Sequence, residues 1–262
     1  RRPDHDLSYR QAVYVVDVAS RVATPLTGGA RCVFGIPTWM PDGQSIAVLG
    51  HRHEGRAGSR NDVWLFAADG SEAGQGDGRN LSAHHDLMPG SAMNSDVTRG
   101  ETSRLWSAPD GRSITFAAPI DGSYELWRIA VADGDITRLT TGRHYISGWD
   151  AVAGPRGRAV IAYLRSSATE APDLWWLDAA SEPRRLTAFN ADVFDELTLI
   201  EPVERRSEVD GSSIQGWLIP AGGKRRPLVT EIHGGPHTHY GWSPVWEFQI
   251  LAASGMSVFF CN

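Results

Sequence analysis

One stretch of the chain carries residue types that could do chemistry. A strand-forming run, Leu228-Val229-Thr230-Glu231-Ile232, leads directly into His233-Gly234-Gly235-Pro236. Two glycines at a strand end can turn backbone N–H groups toward open space. Amides presented in this way stabilise negative charge as it develops on a carbonyl oxygen. The chemistry suggested is acyl transfer; the competing reading is an ordinary strand-end turn. Imidazoles also gather here, at His233, His237 and His239, with His84-His85-Asp86 far upstream. Imidazole is a good zinc ligand, but a His-x3-His-x-His loop fits no usual zinc spacing and has no nearby carboxylate or cysteine to complete it. No metal and no cofactor are expected.

The elements that must position this loop lie on either side of it. Leu197–Glu201, Ser207–Val209 and Ile214–Ile219 read as strands, with Asp210-Gly211 as the turn between the last two. A polar loop, Pro220–Pro227, precedes Leu228–Ile232, whose mostly apolar character predicts a strand buried on both faces. Trp246–Ala253 reads as a helix stopped by Ser254-Gly255, and Met256–Phe260 as a further buried strand. Strand, helix, strand is how a parallel α/β sheet opens.

Before Phe194 the chain is organised differently, by a repeat of three phrases. The first is Trp39-Met40-Pro41-Asp42-Gly43, matched by Trp106-Ser107-Ala108-Pro109-Asp110-Gly111 and, in degraded form, by Trp149 with Gly154-Pro155-Arg156-Gly157. Each is followed by a short apolar strand, at Ser45–Leu49, Ser113–Ala117 and Ala159–Leu164. The second phrase is an acid, an apolar residue and Trp: Asp62-Val63-Trp64, Glu125-Leu126-Trp127, Asp173-Leu174-Trp175. The third closes each unit at Leu26-Thr27, Leu81-Ser82, Leu139-Thr140 and Leu186-Thr187. Pro-Asp-Gly is a strong turn signal, since Pro presets φ, Asp bonds its own backbone and Gly accepts φ > 0. Asp69-Gly70 and Asp133-Gly134 mark the next hairpins. Four strands per unit, recurring at roughly 50 residues, is the pattern of a β-propeller. The tryptophans read as packing between units and the repeated Asp residues as turn formers. Residues 1–27 supply only the last strands of a unit, and Glu72–Arg79 reads as an exposed glycine-rich insertion.

Composition excludes several function classes. A net charge of −6 argues against a nucleic-acid partner, which would call for a basic face. Lys224-Arg225-Arg226, the densest basic patch, reads as a solvated loop. No apolar run approaches the ~20 residues needed to span a bilayer, so no membrane partner is expected, and Arg1-Arg2-Pro3-Asp4-His5 leads into no secretion signal. Cys32 and Cys261 lie far apart and form no disulfide framework, which suggests a reducing, cytoplasmic setting.

Taken together, the repeat, Ile214-Gln215-Gly216-Trp217-Leu218-Ile219-Pro220, Val229–Pro236 and Gly255–Asn262 resemble the prolyl oligopeptidase family of serine peptidases, specifically its acylaminoacyl-peptidase-like branch. The resemblance runs along essentially the whole chain. Its blades are shared with unrelated binding proteins, so its specific part is the Gly-Trp-Leu-x-Pro segment with His-Gly-Gly-Pro. It implies a mixed fold: a partial β-propeller of four-stranded antiparallel blades over residues 1–197, then the first strands and helix of an α/β-hydrolase domain over 198–262. It further implies that the Gly235 N–H is one donor of an oxyanion hole, with Gly234 and His233 in the same loop. Sibling branches carry Tyr at the position of His233 and use its hydroxyl as the donor. The propeller would act as a size-selective gate that admits short peptides or acylated peptide N-termini.

One departure stands out. The family's nucleophile sits in Gly-x-Ser-x-Gly, and the nearest match, Gly241-Trp242-Ser243-Pro244-Val245, lacks the second glycine and precedes the helix. The expectation is therefore an interior fragment, inactive alone, whose nucleophile, acid and base come from a downstream catalytic segment of the same protein. A sheet edge near Asn262 would leave room for pairing with a second copy. The alternative is a non-catalytic propeller used for binding, against which stands the change of pattern after Phe194.

Overall fold

The structure is a computed structural model that describes residues 11–28, 32–52, 59–71, 78–97, 103–155, 159–178, 182–223, 225–235 and 238–262. Most of the insertion expected at Glu72–Arg79, the first ten residues, Arg156-Gly157 and Lys224 lie outside them.

The described residues are mostly β. A two-stranded antiparallel pair, β1 (Tyr14–Val16) and β2 (Ala23–Pro25), comes first. An antiparallel meander follows, made of β3 (Val33–Trp39), β4 (Ser45–His51), β5 (Asp62–Ala67) and β6 (Arg79–Asn80). After a short strand β7 (Ala92–Met93) the pattern returns in β8 (Leu105–Ser107), β9 (Ser113–Ile120), β10 (Ser123–Ala130) and β11 (Ile136–Arg138). It returns again in β12 (Tyr145–Ala153), β13 (Ala159–Ser166), β14 (Asp173–Asp178) and β15 (Arg184–Arg185). The last two meanders meet where Tyr124 pairs in parallel with Tyr145.

The repeated phrases become repeated bonds. In the two Pro-Asp-Gly turns the Asp carboxylates accept from the N–H two residues on, Gln44 onto Asp42 at 2.9 Å and Arg112 onto Asp110 at 3.0 Å. The second and third phrases are bonded to each other. The N–H groups of Val63, Leu126 and Leu174 donate to the hydroxyls of Ser82, Thr140 and Thr187 at 2.9, 3.0 and 2.9 Å. Each hydroxyl in turn donates to the acid of its unit: Asp62, Glu125 or Asp173. The partial first unit keeps the bond from Val13 N–H to Thr27 at 2.9 Å, but Ala12 stands where the acid would be.

Strand alternation explains the near-continuous apolar runs. Successive side chains point to opposite faces, and both faces are covered by neighbouring units. Ile46 and Val48 pack toward β1 and β2, whereas Ala47 and Leu49 join Ile114, Phe116 and Ile129 of the next unit. Ala117 and Leu126 face onward to Tyr145, Ile161 and Tyr163. The phrase-two tryptophans each sit on the side of the preceding unit, Trp127 within that core and Trp64 and Trp175 against theirs. Trp149 is buried and Trp106 packs beside it, but Trp39 is 52% exposed. The register of β3 shifts between Gly35 and Thr38, and such a bulge re-aims the side chains after it.

A different sheet follows the short helix Ala191–Asp195. Its strands are β16 (Val203–Val209), β17 (Ser212–Ile219), β18 (Leu228–Ile232) and, past the two-residue strand β19 (Thr238–His239) and the helix Trp246–Ala253, β20 (Ser257–Cys261). The order is β16-β17-β20-β18, antiparallel except for the parallel neighbours β18 and β20. Asp210 and Gly211, at φ 50 and 78, form the turn expected between β16 and β17. Trp217, Phe248, Val258 and Phe260 form its core.

Three expectations are corrected here. Leu197–Glu201 is not a strand; the Ile200 N–H and C=O in its middle are both taken by the Gln249 side chain, each at 2.9 Å, instead of by a neighbouring strand. The strand Leu228–Ile232 is not buried on both faces, since it lies at the sheet edge with Leu228 and Ile232 60% and 85% exposed. The strand running to Asn262 is interior, between β17 and β18, so the edges of this sheet among the described residues are β16 and β18.

Candidate functional site

The His-Gly-Gly loop leaves β18 at the carboxyl end of the parallel strand pair β18–β20. In open sheets with parallel strands, ligands bind at that end. Pro236 and His237 lie outside the described residues. Gly234 and Gly235 are exposed and His233 is half-buried. Gly235 adopts φ +138, a conformation that residues with a Cβ rarely take. A Cβ on Gly234 would meet open space. Among the described residues nothing accepts a hydrogen bond from the Gly235 N–H. The Gly234 carbonyl, by contrast, accepts two, from His233 Nδ1–H at 2.9 Å and from the Thr238 hydroxyl at 2.6 Å.

Both flanks of the loop are pinned. On the far side Asn262, one residue beyond β20, clamps Tyr240: its Oδ1 accepts from the Tyr240 N–H at 2.7 Å and its Nδ2–H donates to the Tyr240 carbonyl at 3.0 Å. The Tyr240 ring packs edge-on against His233, Phe248 and Phe260. Burial pushes the Tyr240 hydroxyl above its ordinary pKa, with Glu231 and Glu247 adding to the effect.

The remaining anchors come from the repeat. β19 pairs in parallel with β7, Thr238 opposite Ala92 and His239 opposite Met93. The Asn94 N–H donates to the His239 carbonyl at 2.9 Å and the Asp96 N–H to the Pro244 carbonyl at 3.0 Å. The Asp96 carboxylate accepts the Trp246 N–H at 2.6 Å. It thus places a negative charge at the start of a helix whose own N-cap, Val245, offers no side-chain acceptor. Behind this, the Trp242 N–H donates to the Gly122 carbonyl at 2.7 Å and Arg143 stacks over the Trp242 ring at 4.5 Å.

Ser243 is buried and its hydroxyl donates to the Asn94 carbonyl. His85 Nε2 lies 3.0 Å from the Gly134 carbonyl, far from the loop. Among the described residues no three His, Cys, Asp or Glu side chains gather around a common metal position. His239 Nε2 is buried with no hydrogen-bond partner, and burial, with His233 adding, lowers its pKa to about 4.

Sequence reasoning singled out the glycine loop but not the residues that bond around it, Thr238, Asn262, Asn94 and Asp96. The long connection from Leu81 to Leu105 was a usable signal, because long connections inside compact domains tend to be functional. Among the described residues no helix is long and apolar enough to cross a membrane.

No protein-family profile matches the chain. Two curated relatives do: uncharacterized peptidase YuxL of Bacillus subtilis, 29% identical over 163 residues, and dipeptidyl-peptidase 5 of Porphyromonas gingivalis, 24% identical over 263. Those alignments cover 60% and 97% of this chain, but only 24% and 35% of the relatives' own length. Among solved structures, Pyrococcus horikoshii acylaminoacyl peptidase superposes with a TM-score of 0.70 at 21% identity, over 96% of this chain and 35% of that one. An acylaminoacyl peptidase in complex with Z-Gly-Gly-Phe-chloromethyl ketone gives 0.70 at 22% identity, with the same coverage.

Proposed function

We propose that this chain, a relative of the prolyl oligopeptidase-family peptidases, carries part of the gate and part of the oxyanion hole of a serine peptidase acting on short peptides or acylated peptide N-termini. The observation that carries this reading is the position of the Gly234-Gly235 loop at the carboxyl end of a parallel strand pair, with Gly235 at φ +138. On this reading β16 to β20 and the helix Trp246–Ala253 open an α/β-hydrolase domain, and the repeated meanders are blades of a propeller that limits entry by size. The reaction is acyl transfer. A serine oxygen attacks the scissile carbonyl carbon while its proton passes to a histidine, the electron pair of the C=O bond moves onto oxygen, and the Gly235 N–H donates to that oxygen. Collapse expels the amine, which takes a proton from a histidine, and water then hydrolyses the acyl-enzyme. Ser243 is unsuited to the attack because its hydroxyl is buried and already donates to Asn94. The serine, its histidine and the acid are assigned to chain beyond Asn262.

The test is the intact mass of the polypeptide purified from its source, followed by exposure to a fluorophosphonate. The expected result is a mass well above 28.6 kDa and one covalent adduct, with no adduct on the 262-residue chain expressed alone. A native mass of 28.6 kDa with no adduct would overturn the reading in favour of a binding propeller.

A further inference from the structure

The Gly234–Gly235 peptide is held by its carbonyl. A trans peptide is planar, with its C=O and N–H pointing in opposite directions. Whatever fixes the Gly234 carbonyl therefore also aims the Gly235 N–H. Two donors converge on that carbonyl, His233 Nδ1–H at 2.9 Å and Thr238 Oγ1–H at 2.6 Å. His233 is the immediate neighbour and moves with the loop, whereas Thr238 belongs to β19, which is paired with β7 of the repeat.

We infer that Thr238 is a positioning residue, whose hydroxyl locks the Gly234–Gly235 peptide with its N–H facing outward, and that the β7 connection of the repeat sets that lock. The route is a continuous series of contacts. Ala92 and Met93 pair with Thr238 and His239, Asn94 holds the His239 carbonyl, and Asp96 holds Pro244 and the first N–H of the helix. Ser243 ties the same stretch back to the Asn94 carbonyl. Gly241 packs against Met93 and the Gly122 carbonyl so closely that a Cβ would overlap both. The repeat is then more than a filter in front of the site: it is one wall of the mould that shapes the oxyanion loop. Glycines at 234 and 235 leave the peptide free to flip, so an external latch is what makes a single orientation persist.

The inference rests on the proposed peptidase reading for its catalytic consequence, but not for its geometry, and the test separates the two. The full-length protein and the 262-residue chain are each prepared as wild type, Thr238→Ala, Thr238→Ser and Asp96→Ala. The Gly235 amide resonance, in protein labelled with ¹⁵N-glycine, reports the peptide orientation without any need for activity. Peptide hydrolysis by the full-length protein reports the consequence. The expectation is that Thr238→Ala shifts and broadens the Gly235 resonance and lowers kcat by about 10- to 100-fold, the scale on which small misplacements act, with KM nearly unchanged. Thr238→Ser restores both readouts. Asp96→Ala moves the resonances of Gly235 and Gly241 in the same sense as Thr238→Ala, though less. An unmoved Gly235 resonance in Thr238→Ala, or failure of Thr238→Ser to restore it, overturns the latch even if the protein is a peptidase. An inactive full-length protein with the expected resonance shifts overturns the peptidase reading and leaves the latch standing.

Discussion

The His239 ring is buried, with no hydrogen-bond partner for Nε2 among the described residues, and its burial makes its contribution to stability depend on pH. Burial, with His233 adding, lowers its pKa from 6.5 to about 4 in the folded chain. Between those values the unfolded chain binds a proton that the folded chain refuses. The sign follows directly: the contribution is fully present above pH 6.5, is lost as pH falls toward 4, and changes no further below that, where both states are protonated. At about 1.4 kcal/mol per unit, the loss amounts to roughly 2–3 kcal/mol near pH 4.5. Urea unfolding of wild type and His239→Gln at pH 7 and pH 4.5 checks it. Glutamine does not titrate, so the variant should lose about 2 kcal/mol less than wild type on acidification. Equal losses in the two proteins would remove His239 from the account. The residue was visible in the sequence as one of three nearby histidines, where it invited a metal reading. Its actual position is set by the pairing of β19 with β7, and β7 has no signature in the sequence.

At the scale of the element, the repeated acid is worth more in some units than in others. The Glu125 side chain is fully buried and takes hydrogen bonds from Thr140, from Arg138 at 2.7 Å and from His144 at 2.8 Å. Burial alone would raise its pKa; His144, Thr140 and Arg138 outweigh that and hold it below the usual glutamate value. Asp173 has the same kind of partners in Thr187 and Arg185, but its arginine is 45% exposed. Removing one charge from a buried set strands the others, at a cost of about 3–5 kcal/mol, while an exposed partner is rescued by water. Glu125→Gln should therefore cost about 3 kcal/mol and Asp173→Asn clearly less, by the shift in urea midpoint. The reverse ranking would mean that the acids act through turn geometry alone. These units were legible because each phrase is a local device: a Pro-Asp-Gly turn, an acid placed to meet a hydroxyl, a tryptophan on one face. Leu197–Glu201 misled because an apolar extended segment looks the same whether its backbone pairs with a strand or, as here, with the Gln249 amide.

At the scale of the molecule, one uncovered strand is β18, which with β16 forms the two edges of its sheet. It bonds β20 on one side only, so its outer backbone groups can pair with another chain. Leu228 at 60% and Ile232 at 85% exposure add apolar surface along that edge. The strand ending at Asn262 lies one strand inside this edge, with Ile232 opposite Cys261. Natural proteins blunt such edges with charge, lysine above all, and β18 carries one charged residue, Glu231. The 262-residue chain expressed alone should therefore self-associate as its concentration rises. Ile232→Lys should shift it toward monomer without lowering its thermal midpoint, because Ile232 contributes little to the core. Light scattering across a dilution series, paired with melting curves, provides the check. A wild-type chain that stays monomeric throughout, or an Ile232→Lys variant that associates as strongly as wild type, would exclude β18 as the contact.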